Sequence, residues 1–226
     1  MSPTRLFALC LSLCACKSGS VDDVVGKQRP AVEKTFAAIR ALASAPESTA
    51  TQLDSPAVPL FLEKPASDAD NALFIYAEDL TNPGAARPVA LRTLDTLPLA
   101  HCGALLSGGK LFGAAEKLSS TTVATGYLTA CARVRFVLVI RGREFMAPIS
   151  DGTKKFGPGR YQADVQVFDL ATGKSLGSFP VAAQNDPDVT VVAGEDQEQR
   201  LLRNLEGAIY KALREGARKA FPGSLP

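Results

Sequence analysis

The chain has 226 residues, 46% hydrophobic, 21% charged and 7% aromatic, the ordinary balance of a globular protein able to bury a core. Lys and Arg number 25 against 23 Asp and Glu, and a formal charge of +2 argues against nucleic acid or any other polyanion as a partner. One His, no Trp and 5 Cys leave little material for metal, cofactor or acid-base chemistry.

The amino terminus reads MSPTRLFALCLSLCAC: Arg5, then an apolar run from Leu6 to Leu13, then the small residue Ala15. A charged start, a short apolar stretch and a small residue before the cut form a secretory signal. The run is far shorter than the ~20 helical residues needed to span a bilayer core. Its end, Leu13-Cys14-Ala15-Cys16, resembles the lipobox of bacterial lipoproteins, with an aliphatic residue three before a Cys and a small residue immediately before it. The resemblance covers only these residues. It implies cleavage after Ala15 and acylation of the Cys16 sulfur through a thioether, so that lipid holds the protein to a membrane. In enteric lipoproteins Asp after the acylated Cys retains the protein at the inner membrane. Lys17 stands here instead, which implies an outer-membrane location facing the periplasm.

Residues 1–15 then form the signal peptide, 16–28 the lipidated Cys and a short polar tether, and 29–226 a single envelope domain. Cleavage removes Arg5 and no acid, lowering the charge to +1. It also removes Cys10 and Cys14, and acylation consumes Cys16. Cys102 and Cys131 remain, and an even remainder in an oxidising compartment points to a disulfide between them. Closing that loop would be worth about 3 to 4 kcal/mol in the chain-entropy account.

Along the mature chain, a helix is expected from near Pro30, suited to a first turn, to about Ala45, with Val32, Phe36, Ile39 and Leu42 on one stripe. Ala45 to Pro59, rich in Pro, Ser and Thr, reads as a long loop. Ala72 to Ala77 reads as a short strand ended by Asn82-Pro83-Gly84. Leu91 to Leu106 is mixed, with a helix at its carboxyl end, and Ala114 to Leu118 carries weak helical character. Arg133 to Arg141 holds five consecutive apolar residues, Phe136 to Ile140, and reads as a central strand covered on both faces. Arg160 to Asp169 alternates as a strand with one wet face. Gly173 supplies a tight turn, and Ser175 to Ala183 returns antiparallel, with Pro180 either placing it at an edge or making it irregular. Val189 to Val192 is expected to pair briefly. Glu195 to Phe221 is the longest helix, with Leu201, Leu205, Ile209 and Leu213 on its apolar stripe, acids leading and Arg218 and Lys219 trailing. This order argues for one α+β domain, with a mostly antiparallel sheet of four to five strands packed by an amino-terminal and a long carboxyl-terminal helix.

Chemistry-bearing patterns are sparse. His101, beside Cys102, is the one candidate base for a thiol nucleophile at Cys131 or Cys102, and these three residues lack the close-spaced pairs of a zinc site. Gly109-Lys110 is followed by Leu111 rather than a hydroxyl residue, so no phosphate loop is formed. Glu195 and Asp196 suit a helix start, and Asp186 and Asp188 around Pro187 suit a turn. Gln162, Asp164 and Gln166 offer a polar strand face to solvent or to a partner. The expectation is a lipid-anchored envelope protein that binds a protein partner, without cofactor, metal or catalysis of its own. The alternative is an envelope thiol enzyme or redox protein using Cys131 or Cys102 with His101.

Overall fold

Ser20 starts the first helix, α1, Val21–Ala41. Its side chain accepts the Asp23 N–H, and the Asp23 carboxylate accepts the Ser20 N–H at 2.8 Å, a reciprocal cap that satisfies two otherwise orphaned donors. The helix therefore begins well before Pro30, and the tether expected over residues 16–28 is shortened to the residues before Val21. Pro30 lies inside α1, where its ring faces the carbonyl of Gly26, four residues earlier. Both residues are exposed, so that carbonyl is left to water rather than stranded in the core. The computed structural model describes residues 19–47, 60, 71–84, 97–111, 114, 116–150, 156–189 and 195–221.

The chain continues through strand β1 (Ala72–Tyr76), helices α2 (Leu97–Leu106) and α3 (Thr121–Arg133), and strand β2 (Phe136–Met146). The short pair β3 (Ile149–Ser150) and β4 (Phe156–Gly157) follows, then β5 (Arg160–Asp169), β6 (Lys174–Gln184) and helix α4 (Gln197–Ala220). The helical character expected over Ala114 to Leu118 is absent among the described residues there, and α3 starts instead at Thr121. Ser120 caps it by accepting the Val123 N–H, and Ala124, Leu128 and Cys131 form its buried stripe. The brief strand expected over Val189 to Val192 lies mostly outside the described residues, and Val189 itself is not in a strand.

Four strands form one sheet in the order β1-β2-β5-β6, with β1 parallel to β2 and the other two pairings antiparallel. The fold is thus α+β with a mostly antiparallel sheet, as the pattern of elements indicated. Five consecutive β2 residues, Phe136 to Ile140, are buried because helices cover both faces. On one face Val137 and Val139 join Leu73 and Ile75 against α1, α2 and α3. On the other, Phe136, Leu138 and Ile140 join Val165, Val167, Phe179 and Val181 against Leu205, Ile209, Leu213 and Ala217 of α4.

Asp196 caps α4 by accepting the N–H groups of Glu198 and Gln199, and Arg218 and Lys219 sit in its last turn. Gly216 lets this helix approach the sheet: a Cβ there would stand 2.7 Å from the Phe179 ring. At the β5–β6 turn Gly173 has φ of +68°, a conformation other residues adopt only with strain. β6 forms an edge of the sheet, as Pro180 implied. The face of β5 expected to be wet is only partly so. Gln162 is exposed, but Gln166 is 4% exposed and donates to Ser175 Oγ at 3.1 Å and to Pro46 O at 3.4 Å.

Candidate functional site

Cys102 on α2 and Cys131 on α3 are fully buried and joined by a disulfide, with Cα atoms 6.7 Å apart. Each sulfur also lies against a main-chain carbonyl, Cys102 Sγ 3.1 Å from Tyr127 O and Cys131 Sγ 3.2 Å from Pro98 O. His101, next to Cys102, packs edge-on against the Tyr127 ring at 4.5 Å, and its buried Nδ1 has no hydrogen-bond partner among the described residues. Burial pushes its pKa down, favouring the neutral imidazole. With both sulfurs bonded to each other, the cluster presents no thiolate for His101 to activate. No group of three metal-ligating side chains is found among the described residues. Cys16 lies outside the described residues.

The remaining candidates resolve into structural roles. Asp196 is the α4 cap, and Glu195 accepts from Arg203. Asp186 Oδ1 accepts the Asp188 N–H across the Pro187 turn. Asp164 pairs with Arg143, and Arg141 bridges Glu47 at 3.0 Å while donating to Gln166 at 3.3 Å. On the opposite end of the same strands, Arg135 grips Asp169 with two bonds of 2.9 and 3.0 Å. That guanidinium holds the Asp169 carboxyl below the usual carboxylate range.

What sequence reasoning missed is the far end of the β2–β5 hairpin. β2 continues beyond the helical layer, and the pairing shifts between Gly142 and Glu144, leaving Arg143 as an extra residue. Before that bulge, residues with odd numbers in β2 face α1 and α3. After it Phe145 pairs with Tyr161 on the α4 side, and Met146 pairs with Arg160 on the other. The bulge thus places one apolar side chain on each face of a strand end that, among the described residues, leaves both well exposed. Phe145 is 49% exposed, Met146 40% and Ile149, on β3, 68%. Beside them Arg160, Tyr161, Gln162, Ala182, Ala183 and Gln184 line an open groove of about 330 Å³.

The base of this hairpin is rigidly held. Asn185, only 2% exposed, accepts the Gly159 N–H at 2.8 Å and donates to Leu201 O at 2.7 Å and to Asn204 Oδ1 at 3.1 Å. Three segments, the start of β5, the end of β6 and α4, are therefore tied through one carboxamide. Apolar side chains exposed on both faces of a strand end that is seated on a fixed base are suited to burial against another surface. The signal in the sequence was Phe145-Met146-Ala147-Pro148-Ile149, apolar residues placed where a covered strand had already ended. No family model, curated protein or solved structure matches the chain.

Proposed function

We propose that this is a lipid-anchored cell-envelope protein that acts by binding, as an accessory, assembly or scaffold component with no catalysis of its own. The observation that carries the binding role is the uncovered apolar end of the hairpin, where Phe145, Met146 and Ile149 are 40 to 68% exposed on a base fixed by Asn185. Exposed apolar side chains grouped on an ordered element gain free energy by being covered, roughly 25 cal/mol for each Å² removed from water. The lipid anchor rests on Leu13, Ala15 and Cys16, and the outer-membrane, periplasm-facing location on Lys17. The Cys102–Cys131 bond suits an oxidising compartment.

Two measurements test the reading. Cys16→Ser should shift the protein from the membrane to the soluble fraction, and unchanged membrane association would remove the anchor. A photo-crosslinking side chain at position 149 in native envelopes should give a discrete adduct that Phe145→Ser with Met146→Ser abolishes. An adduct pattern indifferent to those two changes would remove the hairpin end as the binding surface.

A further inference from the structure

β1 flanks only the first half of β2. Their pairing runs from Ala72↔Phe136 to Tyr76↔Ile140, after which Ala77–Asp79 turns out of the sheet, whereas β2 stays paired with β5 as far as Met146. Among the described residues nothing pairs with Arg141 to Met146 on the β1 side, and Gly142 to Met146 are exposed. The hydrogen bonds show which main-chain groups this open edge presents. Phe136 donates its N–H to Asn71 O and so faces β1, and alternation brings Leu138, Ile140 and Gly142 to the same side. The extra residue at the bulge, Arg143, moves the next outward position to Phe145, opposite Tyr161. Gly142 and Phe145 are thus separated by two residues, where an ordinary strand has one residue between outward positions. A regular strand laid against this edge cannot meet both.

A second copy of the same edge meets both. Laid antiparallel, with Arg141 of each copy opposite Met146 of the other, the two strands bring Gly142 of each copy opposite Phe145 of the other. Both are outward positions, so each pair exchanges two main-chain hydrogen bonds. The side chains agree in face as well. A Cβ on Gly142 would stand 3.7 Å from Tyr161 Oη, and Phe145 pairs with Tyr161, so both positions are on the α4 side. The Phe145 ring of one copy then lies over Gly142 of the other, where no side chain competes for the space. On the opposite face Arg143, which reaches Asp164, stands opposite Glu144, which pairs with Gln162. Two such opposite-charge pairs form across the axis. Among the described residues, the charges of this strand end, of β5 beside it and of Glu47 on Arg141 balance, with Arg141, Arg143 and Arg160 against Glu47, Glu144 and Asp164. Two copies therefore meet there without net repulsion.

We propose that the open edge of β2 is a self-association site, at which two copies of the chain join their sheets through antiparallel Arg141–Met146 strands about a two-fold axis. The inference rests on the reading of the hairpin end as a binding surface and names a second copy as its occupant. It accounts for the apolar side chain on each face of the strand end. A partner laid on one face would cover Phe145 or Met146, whereas an added strand flanks both. It also fits where β2 stops. Residue 147 would fall opposite Ile140 of the other copy, a place taken by Tyr76, and Pro148 takes the chain out of the ladder there. A six-residue pairing covers less than the roughly 1,200 Å² of a stable interface, so the two copies exchange and their contact is best captured covalently.

The test uses the full chain in native envelopes, expressed together in two epitope-tagged forms. With p-benzoylphenylalanine at position 145, illumination should give an adduct of twice the chain mass that carries both tags. Charge exchange then tests the register. Arg143→Glu in both forms, or Glu144→Arg in both, sets like charges opposite one another and should lower the yield about fivefold. Arg143→Glu in one form with Glu144→Arg in the other restores opposite pairs and should return the two-tag adduct, which also shows that each variant still folds. A two-tag adduct that ignores the charge exchange, or that the mixture does not restore, overturns the proposal. An adduct with a different protein and none between copies overturns the second copy as occupant and leaves the binding surface standing. No adduct from position 145 or from position 149 overturns the binding surface itself.

Discussion

Asn185 offers the sharpest test of how the hairpin base is held. Replacing it with Ala removes the donor to Leu201 O and Asn204 Oδ1 and strands the Gly159 N–H, on a buried residue, without an acceptor. Two lost neutral hydrogen bonds cost about 1 kcal/mol each, and an unsatisfied buried donor costs a further 1 to 3, so Asn185→Ala should destabilise by roughly 3 to 5 kcal/mol. In a domain of this size that lowers Tm by something like 6 to 20 °C. Asn185→Asp separates hydrogen bonding from packing. The carboxylate still accepts from Gly159 but faces Leu201 O and Asn204 Oδ1, so its ionised form is disfavoured and its folded-state pKa is raised. A raised folded-state pKa gives stability that is present below the unfolded value and lost as pH rises through the folded one. The penalty of Asn185→Asp relative to the parent should therefore be smaller at pH 4 than at pH 7 in urea titrations. A loss under about 0.5 kcal/mol for Asn185→Ala, or a pH-independent penalty for Asn185→Asp, would refute the assigned bonding.

Two further perturbations address the opposite end of the sheet and the helical layer. Asp169 is held low chiefly by its bond to Arg135, so its contribution is full above the unfolded carboxylate value of 3.8 and disappears as pH falls through its lower folded value. The parent should lose urea stability steeply in that acid window, and Asp169→Asn, less stable at neutral pH, should lose less there; parallel curves would contradict the assignment. Gly103 on α2 crosses Gly84 so closely that a Cβ on Gly103 would stand 2.4 Å from the Gly84 carbonyl oxygen and 2.7 Å from its Cα. Gly103→Ala must push main chain against main chain and should cost about 1 to 3 kcal/mol by thermal unfolding. A neutral or stabilising change, which Gly→Ala in a helix gives where space exists, would show that the crossing is looser.

The most readable elements were those whose burial demands a single period. α4 was legible because Leu201, Leu205, Ile209 and Leu213 recur every four residues and bury one face. β5 and β6 were legible because apolar alternation brackets Gly173, whose φ of +68° the turn requires. α3 was not, because Thr121, Thr122, Thr125 and Gly126 are weak helix formers and only the stripe of Ala124, Leu128 and Cys131, fixed in part through the bond to α2, holds it helical. The early start of α1 was hidden by reading Pro30 as a first-turn residue. The capping box at Ser20 and Asp23 is local and was available, but the helix it opens tolerates an interior Pro only because Gly26 and Pro30 share the solvent side.

The hairpin end escaped for a different reason, and that reason bears on its role. In a strand whose faces are both covered, apolar residues simply continue, and β2 does this from Phe136 to Ile140. Arg141, Gly142, Arg143 and Glu144 then end the apolar run, which in sequence looks like the end of the strand. The pairing with β5 nevertheless continues to Met146↔Arg160, beyond the helices that made the first half apolar. Among the described residues Phe145, Met146 and Ile149 thus stay 40 to 68% exposed, and their apolar character does not help to close either core. Had they served only to extend a solvated hairpin, the polar pattern of Arg143 and Glu144 would have sufficed. Their position on an element fixed by Asn185, Gly159 and α4 is the physical basis of the binding role proposed for this end of the hairpin.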